Sequence, residues 1–196
     1  MAVEIHWQEI EGNWQSGVAL DLHTTSSTPV GYNEAGHMQF DTVRPPIADL
    51  LYQLKYKHNQ NAAQGIIETA AAFVQPHRAK FDILIPAPPS TARAIQPVYV
   101  LADGIGAAVQ IPVIKCVGTT RPTAQLKNEN DPAKRKELAS GLYSVDPQHT
   151  AGKNILLFDD VFRSGTTLNE ITKVLLEQGQ ASSVRVLTIT KTRSNQ

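Results

Sequence analysis

Apolar positions change their spacing near Pro45. Before it, Val18, Leu20 and Leu22 alternate with small or polar residues, the period of a half-buried strand. The preceding run EIHWQEI predicts a partner strand, joined as a hairpin across Glu11-Gly12-Asn13. Thr24 to Gly36, rich in Thr, Ser, Gly and Asn, reads as a loop. Residues 1–44 are therefore expected to form a small β-rich cap.

From Pro45 onward, helix-periodic segments alternate with short apolar runs. PPIADLLYQLKYK sets Ile47, Leu50, Leu51 and Leu54 on one helical face, with prolines suited to a first turn. AAQGIIETAAAFV predicts a second helix and FDILIP a strand. IQPVYVLADGIGAAVQ predicts a third helix, against which Gly104 and Gly106 argue. IPVIKCV reads as a strand, Gly118 to Ser140 as a long polar segment, and GLYSV as another strand. NILLFDD predicts a strand, TLNEITKVLLEQG a helix ending at Gly179, and SVRVLTIT the last strand. The alternation specifies an α/β fold over 45–196, a mostly parallel sheet flanked by helices. Such sheets bind ligands beyond the carboxyl ends of their strands, here the turns after FDILI and NILLF.

Composition narrows the function classes. The 196 residues are 41% hydrophobic and 18% charged, as expected of an ordered chain that can bury a core. Eighteen basic and eighteen acidic side chains give zero formal net charge. That excludes a global attraction to nucleic acid or an anionic membrane, while a local basic patch stays open. With Cys116 as the one cysteine, neither a disulfide framework nor a cysteine zinc site can form within the chain. The N-terminal MAVEIHWQEIEGNW does not read as a signal peptide, and no run approaches membrane-spanning length. A soluble, cytoplasmic protein with no membrane partner is the expectation.

The chemistry concentrates in ILLFDDVFRSGTTL, Ile155 to Leu168. A turn that enters a helix presents unpaired N–H groups and a positive dipole end, a seat for a phosphate dianion. Gly165 lets the backbone approach closely, and Ser164, Thr166 and Thr167 add hydroxyl donors. Asp159 and Asp160 would repel a phosphate placed beside them. They suit a position slightly apart, accepting from hydroxyls or holding Mg²⁺. The blander alternative is a capping box, Thr167 with Glu170, that only starts a helix. A Walker B strand would need a GxxxxGK[ST] loop, which is absent, and a receiver domain would need more than the 36 residues that follow Asp160. GIGAA at Gly104 is no dinucleotide fingerprint, and the six histidines show no metal-ligand spacing.

This stretch resembles the phosphoribosyl-pyrophosphate (PRPP) signature of type I phosphoribosyltransferases: an apolar strand, two acids, variable residues, then Ser/Thr-Gly-x-Thr. More closely, the chain resembles the ComF-type, competence-associated branch of that superfamily. LLYQLKYK, DILIPAPPSTARAIQP, RPTAQLKNENDPAKRKEL and the C-terminal VLTITKTRSN carry the likeness, in family order from about Leu50 to the end. The resemblance implies that Asp159 and Asp160 hold the ribose hydroxyls of PRPP, directly or through Mg²⁺. It assigns the 5′-phosphate to Arg163, Ser164, Gly165, Thr166 and Thr167, and pyrophosphate to the turn PAPPSTAR through Ser90, Thr91 and Arg93. It also implies a loop, Gly118–Ser140, that closes over PRPP, with Arg135 as its catalytic arginine. From Lys115 to Lys136 this segment holds six basic residues and two acids, an excess suited to departing pyrophosphate. The alternative for most of these side chains is a solvated face, with DPAKRKEL a short helix capped by Asp131.

Two departures from the pattern matter. Purine-salvage members carry an Asp where this chain has Arg163, and many ComF-type proteins carry an N-terminal four-cysteine zinc module that is missing here. A cap stands in its place, and in this superfamily the cap chooses the acceptor; Trp7, Trp14, Asp21, His23 and Tyr32 are candidates to line that site, with core and surface packing the favoured alternative for each. The implied functions are Mg²⁺-dependent transfer of phosphoribosyl from PRPP to an unidentified acceptor, or a PRPP-responsive accessory role on single-stranded DNA. A homodimer is among the assemblies the resemblance admits.

Overall fold

The computed structural model describes residues 1–57, 59–89, 96–121 and 131–193, with backbone alone at 132, 135 and 136. A five-stranded sheet in the order β1-β2-β9-β8-β5 forms its centre. The strands are β1 (Gln8–Glu9), β2 (Ser16–Leu22), β5 (Ile83–Pro86), β8 (Asn154–Phe162) and β9 (Ser183–Lys191). β2, β9, β8 and β5 run parallel, and β1 joins β2 as the expected antiparallel hairpin, Gln8 opposite Ala19. β2 thus belongs to the main sheet, paired with the last strand.

Side-chain alternation along each strand divides the sheet into two apolar faces. On one, Leu84, Leu156, Phe158, Leu187 and Ile189 pack beneath α1 (Pro46–Tyr56), α2 (Asn61–Val74) and α3 (Pro97–Val109). On the other, Ile83, Ile85, Ile155, Leu157 and Val186 meet Leu168, Ile171, Val174 and Leu175 of α5 (Thr166–Glu177). α3 is continuous through its two glycines because both are close-approach points. A methyl group at Gly104 would run into Ile67 of α2, and one at Gly106 into Val113. The packing contact offsets the propensity cost.

Three expectations need correction. Thr24–Gly36 is not all loop: β3 (Ser26–Tyr32) pairs with β4 (Met38–Val43) as an antiparallel ribbon. IPVIKCV is not one strand. Val113 makes a single parallel bridge to Leu84, and the chain then leaves the sheet edge for β6 (Val117–Thr119), which pairs with β7 (Tyr143–Val145). The polar segment Gly118–Ser140 holds the end of β6 and, where DPAKRKEL reads as a short helix, α4 (Pro132–Ala139), while 122–130 lie outside the described residues. β8 does not stop at the two acids but pairs with β9 as far as Phe162.

Candidate functional site

β8 carries Asp159 and Asp160 to the carboxyl edge of the sheet, and residues 163–165 turn the chain into α5. The turn works because Gly165 adopts φ 74°, a left-handed conformation that favours glycine. Its carbonyl accepts the first helical hydrogen bond, from Asn169 N at 2.8 Å, and no side chain caps the helix. The expected capping box is not made, since Glu170 accepts from Gly141 N at 2.9 Å instead. The first-turn N–H groups of α5 are therefore left for another acceptor. Ser164 and Thr166 hydroxyls lie 2.9 Å apart beside them. Asp159, Val161 and the run from Phe162 to Leu168 line a cleft open to solvent.

The turn is braced from behind. Phe162 meets Trp14 edge-on, ring centroids 6.2 Å apart, and Trp14 Nε1 donates to Ile10 O at 3.0 Å. Asn13 donates through its backbone N to Asn169 Oδ1 at 2.8 Å, and through Nδ2 to Asn169 O at 2.9 Å. The β1–β2 hairpin thereby fixes the start of α5.

Consecutive strand residues face opposite ways, so the two acids have different surroundings. Asp160 meets Lys55 of α1, Oδ2 to Nζ 2.8 Å, with both side chains less than a fifth exposed. Asp159 Oδ1 accepts from Asp160 N at 2.8 Å. Burial, reinforced by the charge of Asp160, pushes the Asp159 carboxyl up to about 7; the Asp160 N–H and Lys55 pull the other way. His23, which follows β2, places Nδ1 3.0 Å from Thr190 Oγ1. Burial first, then the Lys55 and Arg44 charges, lowers its pKa.

No family model matches the chain. The competence protein ComFC of Bacillus subtilis (strain 168) is 27% identical over 123 residues, covering 61% of this chain and 49% of that protein. The chain thus spans about half the length of this relative. Adenine phosphoribosyl transferase from Trypanosoma brucei, solved with AMP, pyrophosphate and ribose-5-phosphate, superposes with a TM-score of 0.52 at 11% identity, over 96% of this chain and 76% of that one. Glutamine PRPP amidotransferase from B. subtilis, solved with ADP and GMP, gives 0.51 at 17% identity, over 80% of this chain and 34% of that one. The chain is similar to ComFC over this span and has the type I phosphoribosyltransferase fold.

In this chain, Asp159, Arg163, Ser164, Gly165, Thr166 and Thr167 all line the same cleft, and Asp160 follows Asp159 on β8. The turn after β5 starts beside this site, because Pro86 is in register with Phe158 and Ala87 N donates to Phe158 O at 2.8 Å. Ser90, Thr91 and Arg93 lie outside the described residues, and Arg135 is described only as backbone in α4. Asp131 does cap α4, accepting from Ala133 N at 2.8 Å. Of the cap residues, Trp14 is core, Asp21 is buried and accepts from His6 N and Leu22 N, and Trp7 and Tyr32 are exposed. Sequence reasoning missed Lys55 and Arg44 as part of this site. Lys55 had a readable signal: it stands four residues after buried Leu51, on the inward flank of an amphipathic helix.

Proposed function

We propose that this chain binds PRPP across the carboxyl end of β8 and transfers its phosphoribosyl group to an acceptor. The observation that carries the reading is the single cleft joining Asp159 to the uncapped first turn of α5 and its hydroxyls. The 5′-phosphate accepts from the N–H groups and hydroxyls of residues 163–167, and the ribose hydroxyls donate to Asp159 and Asp160. An electron pair of the acceptor forms the new bond to the anomeric carbon. The carbon–oxygen bond to pyrophosphate breaks, its electrons leave with pyrophosphate, and the acceptor's proton passes to solvent. The carboxylates orient the ribose and balance positive charge developing on the ring. Ser90, Thr91, Arg93 and Arg135 are assigned to the leaving group on sequence resemblance.

Two neighbouring carboxylates are hard oxygen donors of the kind Mg²⁺ takes, and the described residues contain no cluster of three His, Cys, Asp or Glu that could cage a metal alone. Asp159 and Asp160 would hold such a cation when PRPP is bound. Bound there, Mg²⁺ would neutralise charge on pyrophosphate.

Calorimetric titration with PRPP, with and without Mg²⁺, tests the reading on the wild type and Asp160→Asn. Magnesium-dependent binding that the variant loses supports it. A folded wild type that binds no PRPP overturns it.

A second reading, an accessory role on single-stranded DNA, has one observation in its favour besides the ComFC likeness. Tyr52 and Tyr56 lie 5.3 Å apart, with Arg44 4.3 Å and Lys57 5.9 Å from the Tyr52 ring centre. Aromatic and basic groups together suit stacked bases and phosphates. Oligonucleotide binding that weakens steeply with salt would support it.

A further inference from the structure

The cleft accounts for one side of the acid pair and leaves the other side, toward α1, without a role. There the chain gathers residues from three elements. His23 leaves β2, its N donating to Lys191 O at 2.7 Å and its ring held to Thr190. Arg44 links β4 to α1, and its guanidinium carbon lies 4.3 Å from the Tyr52 ring centre. Lys55, one turn beyond Tyr52 on the same helix, reaches Asp160.

The charges of this group do not cancel. Lys55 answers Asp160, and among the described residues Arg44 makes no ion pair. Its Nε is buried and, among the described residues, has no hydrogen-bond acceptor. A buried donor without an acceptor is costly, and native structures rarely leave one unexplained. The stacking on Tyr52 holds a planar fork in place, a ready receptor for a carboxylate or phosphate. The lowered pKa of His23, caused in part by Lys55 and Arg44, is consistent with both cations facing the same spot.

We propose that, on the PRPP reading just given, His23, Arg44, Tyr52 and Lys55 frame an acceptor subsite beside Asp160 for a molecule bearing a carboxylate or phosphate group. The anion docks on Arg44 and Lys55, with the nucleophilic atom turned toward the ribose carried by the acid pair. A neutral acceptor would leave the Arg44 Nε unsatisfied and gain nothing from either cation.

Calorimetry with matched probes tests this on the intact chain, each run with and without PRPP. Benzoate against benzamide reports a carboxylate site, and phenyl phosphate against phenol a phosphate site. Wild type is expected to bind at least one anion about tenfold tighter than its neutral partner, the scale of a charge-assisted hydrogen bond. Arg44→Gln should erase that preference, and Arg44→Lys should restore part of it. Equal binding of anionic and neutral probes by the wild type overturns the proposal, as does an Arg44→Gln variant that keeps the preference. Failure of the small anions where a single-stranded oligonucleotide binds through Arg44 overturns it too, in favour of a nucleic-acid surface. Absence of PRPP binding overturns the acceptor role, and the titrations without PRPP then decide the anion site alone.

Discussion

Lys55 Nζ stands 2.8 Å from Asp160 Oδ2, so the second acid of the pair is balanced by the first helix of the chain. Both side chains are largely withdrawn from water, which makes the pair more than a surface contact. Lys55→Met should cost about 2 kcal/mol in urea denaturation at pH 7, because Asp160 is left charged beside Asp159. Adding Asp160→Asn should recover most of that loss. Strictly additive losses in the double variant would show that the two residues do not act on one another.

Asp159 gives the protein a pH-dependent stability of defined sign. Its carboxyl ionises near 7 in the folded chain against an ordinary value of 3.8, so the folded state favours the neutral acid. That advantage is complete below about pH 4 and is lost as pH rises through 7. Asp159→Asn removes the ionisation while keeping the shape. At pH 8 the variant should be the more stable by about 1–2 kcal/mol, and the gap should close toward pH 5. Denaturation curves for the two proteins that run parallel from pH 5 to 8 would contradict the assignment.

Gly165 combines backbone conformation with close packing. An added methyl group would sit 3.1 Å from Asn169 Nδ2 and 3.1 Å from Phe162 Cε2, at a φ of 74°. Gly165→Ala should lower stability by about 1–2 kcal/mol and abolish PRPP binding. Gly152, φ 70° with open space around it, supplies the control. Gly152→Ala should lose about 1 kcal/mol and bind PRPP normally. Equal loss of binding in the two variants would mean that the turn has no special part in it.

Trp14 tests whether the N-terminal hairpin supports the site. Replacing it with alanine empties space beneath Phe162 and should cost about 3–4 kcal/mol in thermal or urea unfolding. Trp14→Phe should cost about 1–2 kcal/mol, since Ile10 O loses its donor. A drop in PRPP affinity in Trp14→Phe, with the protein folded, would trace the brace to the phosphate turn.

The elements legible in the sequence were those whose burial imprints a period. β8, β9 and α5 each bury apolar residues at their own spacing, and the Asp-Asp turn between them stood out by its chemistry. β3 left no such imprint because all but its first residue are exposed. Thr167 and Glu170 form a textual capping box, yet Gly165 takes the cap position and Glu170 serves Gly141. Arg44 was invisible for a different reason: its role comes from Tyr52 and His23, which only the folded chain brings near it. Gly104 and Gly106 misled in the opposite direction, since helix propensity says nothing about a neighbour that needs the space.

The pairing of β2 with β9 sets Ser16 beside Arg185 and Leu22 beside Lys191. β2 is therefore made well before β9 and waits for it before it has a sheet to join. Until β9 emerges, Leu20 and Ala19 have no neighbour on that edge, and the nascent chain carries an unpaired strand. Contacts this distant in sequence slow folding. The hairpin that braces the phosphate turn is thus completed late, and the site matures only once the sheet has closed.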